Sequence, residues 1–335
     1  MMVSTMAESH RSRGRGKPTP VLLAPDSFKG TFTAPAVVAA LAPPFERGGH
    51  AVDRCPLADG GEGTADALRG ALGGERVEAE AHDPLGRAIS SSFVLLRDGS
   101  AAVDTAAASG LELLAPAERD PEAASTFGTG ELIAAAVAAG ASRVIVTVGG
   151  SATNDGGAGA LEALEGVDVE MDVICDVRTP FEDAARLFGP QKGADPAMVR
   201  KLTARLERQA AAMSRDPRGV PMTGCAGGLS GALWAEHGAR LHDGAAWVLA
   251  ALGFDERMRE AAFVVTGEGR IDEQTLQGKL VGEVATRCRQ AGVPCHGVVG
   301  KIDLDPFAQR ILDFASMTEA GTVEELEAAG RALVS

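Results

Sequence analysis

The sequence predicts an α/β protein with two α/β domains: a Rossmann-like domain with a doubly wound parallel sheet, and an inserted second α/β domain, with a cleft between them. Three observations predict this class. The 335 residues are enough for one large domain or two ordinary ones. The hydrophobic fraction of 45% allows a sizeable core. A unit of apolar strand, loop of Gly, Asp and Ser, and helix occurs four times.

The first two copies of this unit lie near the N-terminus. Residues 20–24 predict a strand, followed by a helix that Thr33 would cap and that would stop at Pro43-Pro44. The second copy predicts a strand near residues 51–57. Its helix would be capped by Thr64 and would end at Gly73-Gly74.

The third and fourth copies lie in the middle and the last part of the chain. In the third, a helix over 129–139 precedes the strand "RVIVTV" and a further helix that begins in residues 157–164. The fourth has a strand at 262–266 and a helix that ends before Gly292. Because the carboxyl ends of parallel strands share one edge, we expect all four loops to line one ligand crevice.

The pattern between these copies indicates the domain organisation. Residues 75–106 alternate in polarity and predict β-hairpins with a turn at Asp98-Gly99, and Asp195 with Pro196 predicts the start of an amphipathic helix. We therefore predict a discontinuous Rossmann-like domain from residues 20–74 and 256–335, with residues 75–255 inserted. The pattern does not assign residues 125–165 to either domain. The polar, basic residues 1–19 are predicted to form a disordered tail.

Charge and cysteine usage exclude several classes of partner. The net charge of −14 argues against sequence-independent nucleic-acid binding and against docking on anionic membranes. The sequence contains no run of eighteen apolar residues, so no membrane span is predicted. The five cysteines show neither a CxxC pair nor zinc-ligand spacing, which indicates reduced thiols in a cytoplasmic protein.

The stretch "VGGSATNDGGAGALEAL" at 148–164 places five glycines between Gly149 and Ala160. A strand that leads through a glycine-rich loop into a helix favours anion binding, because N–H groups and the helix dipole converge there. Glycines also let a phosphate approach the backbone. The alternative is that they only form a tight turn and allow close helix packing. Four such loops together favour a phosphorylated ligand.

Two named nucleotide motifs are incomplete. A Walker A loop would need Ser or Thr after Gly278-Lys279, where Leu280 stands. "TGEGRID" at 266–272 lacks the third glycine of a dinucleotide fingerprint, which disfavours an oxidoreductase. The loops instead share an acid beside glycine, the combination that Mg²⁺ and phosphoryl transfer require. These acids are Asp26, Asp59, Glu62, Asp155, Glu268 and Asp272.

Eight stretches, in order, resemble the bacterial two-domain glycerate kinase family, of the glycerate 2-kinase-like type. They are "APDSFKGTFTA", "PLADGGEGTADAL", "AAASGLELL", "FGTGELI", "VGGSATNDGGAGAL", "FGPQKGA", "CAGGLSGAL" and "VVTGEGRIDEQTLQGK". The resemblance implies two α/β domains and phosphorylation of D-glycerate by ATP with Mg²⁺, with 2-phosphoglycerate the favoured product. It leaves a homo-oligomer open.

The sequence departs from the family pattern in one place. Between "GALEAL" and "VDVEMDVICDV" the family carries a longer segment, and "RTPFEDAARLFGPQKGA" stands where the family continues with an Asn-Pro-Leu stretch. This departure leaves an alternative open: a homologue that binds ATP or a small hydroxy acid with little turnover.

Four residues are predicted to act in catalysis. Asp59 is the predicted general base, with Glu62 as a competitor for that role. Lys29 would contact a phosphate or the substrate carboxylate. Asp155 is either an alternative base or metal ligand, or the N-cap of the following helix. Lys192 would offset charge that develops in the transition state.

The remaining predicted site residues bind substrate, phosphate or metal. Ser151, Thr153 and Asn154 would donate hydrogen bonds, unless they only form the turn. Glu268 and Asp272 are the candidates for Mg²⁺, although Asp272 equally suits a helix cap. The other predicted binding residues are Asp26, Ser27, Gly60, Gly61, Glu62, Gly149, Gly150, Gly267, Gly269, Arg270 and Lys279.

Overall fold

The computed structural model describes residues 19–28, 30–276 and 279–334, and these residues form two β-sheets with packed helices. The α/β class is therefore confirmed. The strands are β1 Val21–Leu23, β2 Val52–Arg54, β3 Gly74–His82, β4 Ala88–Leu96, β5 Ser100–Asp104, β6 Arg143–Thr147, β7 Glu170–Cys175, β8 Arg240–Asp243, β9 Phe263–Thr266, β10 Cys295–Val299 and β11 Ser316–Glu319.

Helices follow most of the parallel strands. The α-helices of the described residues are α1 Ala34–Arg47, α2 Thr64–Leu72, α3 Ala106–Ser109, α4 Phe127–Ala138, α5 Ala158–Ala163, α6 Ala184–Phe188, α7 Pro196–Ala212, α8 Leu229–Glu236, α9 Gly244–Ala251, α10 Phe254–Glu260, α11 Glu273–Leu276, α12 Leu280–Ala291, α13 Pro306–Leu312 and α14 Val323–Val334. None of these described helices combines the length and apolar character needed to cross a membrane.

The first sheet is parallel and has the strand order β11-β10-β9-β1-β2. From β1 the chain moves outward to β2, and from β9 it moves outward in the other direction to β10 and β11. The order therefore reverses between β1 and β9. In doubly wound sheets, ligands bind outside the carboxyl ends of the strands at such a switch point.

The second sheet has the order β3-β4-β5-β6-β7-β8. Strands β3, β4 and β5 form an antiparallel meander, with the predicted turn at Asp98-Gly99, and β5 to β8 are parallel. The third copy of the predicted unit thus lies in this sheet, and its loop is not on the edge shared by the other three. Strands β6 and β7 pair along their lengths, so the short connection between them leaves the sheet continuous.

One hydrophobic cluster joins the two sheets. It combines Leu22 of β1 and Val264 of β9 with Ile145 of β6 and Ile174 of β7. Helices α2, α9 and α12 contribute Leu68, Val248, Leu249 and Val284 to the same cluster. A second cluster covers the opposite face of the six-stranded sheet. The domain limits predicted at residues 74–75 and 255–256 stay a prediction.

Two helix boundaries differ from the predictions. Thr33 caps α1 as predicted, but the helix continues through Pro43-Pro44 to Arg47, because the packing of a buried face that includes Phe45 outweighs the hydrogen bonds that the prolines cannot make. Helix α2 has Gly63 at its N-cap rather than Thr64. The Thr64 hydroxyl instead donates to the carbonyl oxygen of Gly61 at 2.8 Å.

The predicted tail at 1–19 lies outside the described residues, apart from Thr19. The five cysteines are all buried, and none of them forms a disulfide. Asp195 caps α7 by accepting a hydrogen bond from the amide of Met198 at 2.7 Å, as predicted.

Asp172 links three neighbouring strands of the second sheet. Its side chain is 1% exposed and accepts hydrogen bonds from Arg143 of β6 and from Arg240 and His242 of β8. Burial by itself would raise the pKa of Asp172, but the hydrogen bonds from Arg240 and His242 and the charge of Arg143 lower it to about 2. The ionised form therefore stabilises the fold.

We expect Asp172→Asn to lower the free energy of unfolding at pH 7 by about 1–3 kcal/mol, because Arg143, Arg240 and His242 lose a charged acceptor at a buried position. The pKa of an unfolded Asp is about 3.9, so the contribution is present above that pH and is lost as the pH falls towards about 2. Urea unfolding at pH 7 and pH 3 checks this, because the difference between variant and wild type should narrow at pH 3.

Asp216→Asn is the matched control. In the wild type, the hydrogen bonds from Arg218 also lower the pKa of Asp216 to about 2. This pair, however, is exposed, and water screens its interaction. We expect no measurable change in stability for it. Equal losses in the two variants would contradict the structural role assigned to Asp172.

Candidate active site

A pocket of about 680 Å³ lies where the carboxyl ends of strands from both sheets meet. The loops after β1 and β2 of the first sheet form part of its wall, and the loops after β5, β6 and β7 of the second sheet form the rest. The lining residues are 26–27, 30–35, 56–58, 61–63, 66–67, 111–112, 149–150 and 176. The two sheets therefore build one site together.

Several predicted site residues line this pocket or lie beside it. Asp26, Ser27, Gly61, Glu62, Gly149 and Gly150 belong to the lining. Asp59 and Gly60 directly precede the lining residue Gly61, and the carboxylate of Asp59 accepts a hydrogen bond from the amide of Gly61 at 3.0 Å. Lys29 lies outside the described residues. The structure thus brings the loops after β1, β2 and β6 together.

The loop after β9 forms a neighbouring group at the switch point. The amide of Asp26 donates to the carbonyl oxygen of Gly267 at 2.8 Å, which joins this loop to the loop after β1. Glu268 accepts a hydrogen bond from the hydroxyl of Thr275 at 2.7 Å. Arg270 pairs with Asp303 at 3.1 Å. The predicted residues Gly267, Glu268, Gly269, Arg270, Asp272 and Lys279 are absent from the pocket lining described above.

Most glycines of the 149–159 loop are required by packing within the protein. A Cβ on Gly149 would lie 2.5 Å from the Cα of Gly61, and one on Gly157 would lie 2.5 Å from the Cβ of Ala232. Gly149 and Gly150 both line the pocket, but an added Cβ on Gly150 would come no closer than 3.4 Å to another residue, and this glycine has a φ of +73°. The close-packing explanation therefore accounts for Gly149 and Gly157, whereas the backbone conformation accounts for Gly150.

Carboxylates of the chain already occupy two helix N-termini at which we predicted anions. Asp155 accepts hydrogen bonds from the amides of Gly157 at 3.0 Å and Gly159 at 3.1 Å, at the start of α5. It also accepts from both the amide and the hydroxyl of Thr126 at 2.8 Å. Asp155 is 2% exposed, so this geometry favours the capping role over that of a base.

Asp104 plays the corresponding part at α2, and sequence reasoning missed it. Its carboxylate accepts hydrogen bonds from the amides of Gly63 at 3.0 Å and Ala65 at 3.1 Å and from the hydroxyl of Thr147 at 2.8 Å. Burial raises the pKa of Asp104 to about 6, although these hydrogen bonds lower it. The available signal was an acid at the end of a strand, in "SAAVDTA".

Lys192 is buried behind the Gly150 loop. Its ammonium donates to the hydroxyl of Ser151 at 2.9 Å and to the carbonyl oxygen of Thr153 at 2.7 Å. Burial lowers the pKa of Lys192 to about 8, although the negative charges of Asp155 and Asp176 act to raise it. This lysine therefore adds a positive charge next to the pocket wall while it is protonated.

Asn154 lies in the same buried loop and has unused hydrogen-bonding capacity. Its side chain is fully buried, and neither its amide nitrogen nor its oxygen has a partner among the described residues. Its backbone amide donates to the carbonyl oxygen of Pro121 at 3.2 Å. The predicted donors Ser151, Thr153 and Asn154 thus form an inner layer rather than the pocket surface.

The pocket lining is strongly acidic. It contains the carboxylates of Asp26, Glu62, Asp66, Glu112 and Asp176, and the described lining residues include neither Lys nor Arg. Among the described residues, the backbone N–H groups of Gly149 and Gly150 donate to no protein acceptor. An anionic ligand in this pocket would therefore need a bound cation or these backbone amides for charge balance.

Fold and site together define a class: α/β enzymes whose ligand pocket lies at the carboxyl ends of two packed sheets, one of them doubly wound. The model of the glycerate kinase family matches residues 21–168 and 165–331. The chain belongs to the glycerate kinase family. Glycerate kinases are phosphotransferases, and the chain is an enzyme of that class.

Individual relatives cover most of the chain. The glycerate 2-kinase of Escherichia coli (strain K12) is 36% identical, with 91% of this chain and 92% of the relative covered. The glycerate kinase of Bacillus subtilis (strain 168) is 37% identical, with 86% of each chain covered. The crystal structure of a glycerate kinase 2 candidate from Salmonella typhimurium LT2 superposes with a TM-score of 0.80. It is 33% identical, and the match covers 95% of this chain and 98% of that chain.

We expect Gly149→Ala to lower the free energy of unfolding by about 1–3 kcal/mol, because its Cβ would overlap the backbone of Gly61 and separate the two loops. Thermal unfolding measures the effect. Gly70→Ala is the control, because Gly70 lies in α2 with no atom within 4 Å of an added Cβ. Alanine there should raise stability by about 0.5–1 kcal/mol. A Gly149→Ala variant with wild-type stability would contradict the close approach.

Proposed function

We propose that the protein transfers the γ-phosphoryl group of ATP to a hydroxyl group of D-glycerate, with 2-phosphoglycerate as the favoured product. The observation that carries this proposal is the pocket in which the carboxyl-end loops of both sheets meet. The name of the Escherichia coli relative, glycerate 2-kinase, supports both the substrate and the position.

Phosphoryl transfer depends on positioning and on electrostatic stabilisation more than on covalent chemistry by the protein. The hydroxyl oxygen of glycerate forms a bond to the γ-phosphorus, and the bond from that phosphorus to the bridging oxygen breaks as ADP leaves. The hydroxyl proton passes to a carboxylate. Asp59 is the proposed acceptor, and Glu62 is the second candidate because it lines the pocket.

The chain also supplies groups that can bind the phosphate oxygens. The N–H groups of Gly149 and Gly150 are available at the pocket wall. Lys192 supports this wall through its hydrogen bond to Ser151. Its positive charge in a desolvated position would stabilise negative charge that develops during transfer.

The donor set fits Mg²⁺ as the partner of ATP. Glu268 and Asp272 carry carboxylate oxygens, the ligands that Mg²⁺ prefers, on the loop that contacts the Asp26 loop. No group of three or more His, Cys, Asp or Glu side chains in the described ranges could hold a metal ion. An ion at Glu268 and Asp272 would therefore take its other ligands from phosphate and water, and it would neutralise phosphate charge when bound.

We expect purified wild-type protein with ATP, Mg²⁺ and D-glycerate to release ADP and to form 2-phosphoglycerate, identified by NMR. Asp59→Asn should lower kcat by about 10²–10⁴-fold, the usual contribution of a general base. Glu62→Gln is the matched variant and should change kcat far less. The opposite result would assign the base to Glu62. A folded protein that binds ATP and makes no phosphoglycerate would favour the low-turnover alternative.

The pH dependence of kcat tests the role of Lys192. Because its pKa is lowered to about 8, its positive charge is present below that pH and is lost as the pH rises through it. We therefore expect kcat to fall on the alkaline side with an apparent pKa near 8.

Lys192→Arg should remove this alkaline decline, because arginine stays charged, and Lys192→Met should lower kcat at every pH. Lys201→Met is the control, because Lys201 is exposed on α7 and pairs with Glu122. A wild-type decline that is unchanged in Lys192→Arg would contradict the assignment.

A further inference from the structure

Asp104 is the group in the second sheet that reaches across to the loop carrying both candidate bases. It is the last residue of β5, and it lies opposite Thr147, the last residue of β6, in the sheet register. Its hydrogen-bond partners Gly63 and Ala65 are 41 and 39 residues away in sequence. One carboxylate therefore connects β5, β6 and the start of α2.

The loop at 60–65 has few other polar anchors. Gly61 bonds to Asp59, and both the amide and the hydroxyl of Thr64 donate to Gly61, so these hydrogen bonds stay within the segment. In the described part of the chain, Asp104 is the only group outside residues 59–69 that hydrogen bonds to residues 60–65. The position of this segment relative to the second sheet thus depends on Asp104, on the packing of its glycines and on the apolar packing of Ala65 and Leu68 against β4 and β5.

A local cap would not have the same effect. The N-cap of α2 is Gly63, which has no side chain and a φ of +86°. A Ser or Asp at the N-cap could satisfy the first amides of α2 equally well, but it would move with the helix. A carboxylate on β5 satisfies the same amides and also fixes the helix start to the sheet. Charge-assisted hydrogen bonds at a helix N-terminus are the stronger kind.

We propose that Asp104 is a positioning residue for the transfer reaction, which holds the loop of Asp59 and Glu62 at the pocket through the amides of Gly63 and Ala65. This inference rests on the proposed function. Asp104 does not touch the substrate; it acts through the loop. The loop carries both candidate bases, and a displacement of about 1 Å at a reacting group can lower a rate by about 10²-fold.

The partial burial of Asp104 is consistent with this role. Removing a carboxylate from water is costly, and the pKa of Asp104 is raised by burial and by the nearby charge of Asp66. The partly buried acid therefore bears a desolvation cost at the place where the helix start is fixed to the sheet.

Asp104→Asn tests the proposal, because it keeps the size of the side chain and replaces one acceptor oxygen with a donor that faces the amides. We expect kcat to fall by about 10–10²-fold with less than a threefold change in KM for D-glycerate. Hydrogen exchange at the amides of Gly63 and Ala65 should become faster. Both are measured well below the Tm of the variant, so that loss of fold does not contribute.

Asp98→Asn is the matched control at the opposite end of β5. Asp98 accepts hydrogen bonds from the amide and the hydroxyl of Ser100 at 2.9 and 2.7 Å, within the hairpin turn. The loss of this carboxylate should leave kcat and the exchange of the 60–65 amides unchanged.

Thr147→Val is a second, milder test, because it removes a hydrogen-bond donor to Asp104 and leaves α2 unaltered. Thr147→Val should lower kcat less than Asp104→Asn does. In the double variant it should lower kcat little beyond the effect of Asp104→Asn alone.

The outcomes separate the two proposals. A wild-type protein that makes no phosphoglycerate from ATP and D-glycerate overturns the proposed function, and with it a positioning role in that reaction. An active wild type with Asp104→Asn at unchanged kcat overturns only the role of Asp104, whatever the exchange shows. Should Asp104→Asn fail to fold, Thr147→Val decides in its place: wild-type kcat overturns the role, and a fall in kcat without a change in KM supports it.

Discussion

The close approach of two loop backbones, at Gly61 after β2 and Gly149 after β6, is the contact on which the rest of the site depends. A single methyl group on Gly149 would lie 2.5 Å from the Cα of Gly61. Because these loops follow strands of different sheets, their contact sets the distance between the carboxyl-end edges of the two sheets. The pocket has walls from both sheets, so its shape depends on that distance.

Apolar and polar interactions both connect the elements around this contact. One hydrophobic cluster joins β1 and β9 through α2, α9 and α12 to β6 and β7. Asp104 connects the start of α2 to β5, and Asp155 connects the start of α5 to Thr126. The hydrophobic cluster stabilises the fold without fixing orientation, whereas the hydrogen bonds of the carboxylates fix the orientation of the helix starts.

The acidity of the pocket is compatible with the proposed phosphoryl transfer, because positive charge would come from Lys192 behind the pocket wall and from a metal ion bound with the ligand. Five carboxylates line the pocket, whereas Lys192 donates to Ser151 from a buried position. The candidates for Mg²⁺, Glu268 and Asp272, lie on the adjoining loop at the switch point between β1 and β9. Phosphate binding would then combine backbone amides, one buried ammonium and a metal ion.

The sequence alone determined the α/β class, most of the strands and the family, because these follow from local periodicity and from ordered motifs. It also located three of the loops that line the pocket, those after β1, β2 and β6, but not those after β5 and β7, and it wrongly placed the loop after β9 in the lining. It could not tell which glycines are required by close packing against distant residues, nor that distant Asp104 caps α2, because both depend on contacts between residues far apart in the chain. The continuation of α1 through Pro43-Pro44 was likewise decided by tertiary packing, since the burial of Phe45 outweighs the lost hydrogen bonds.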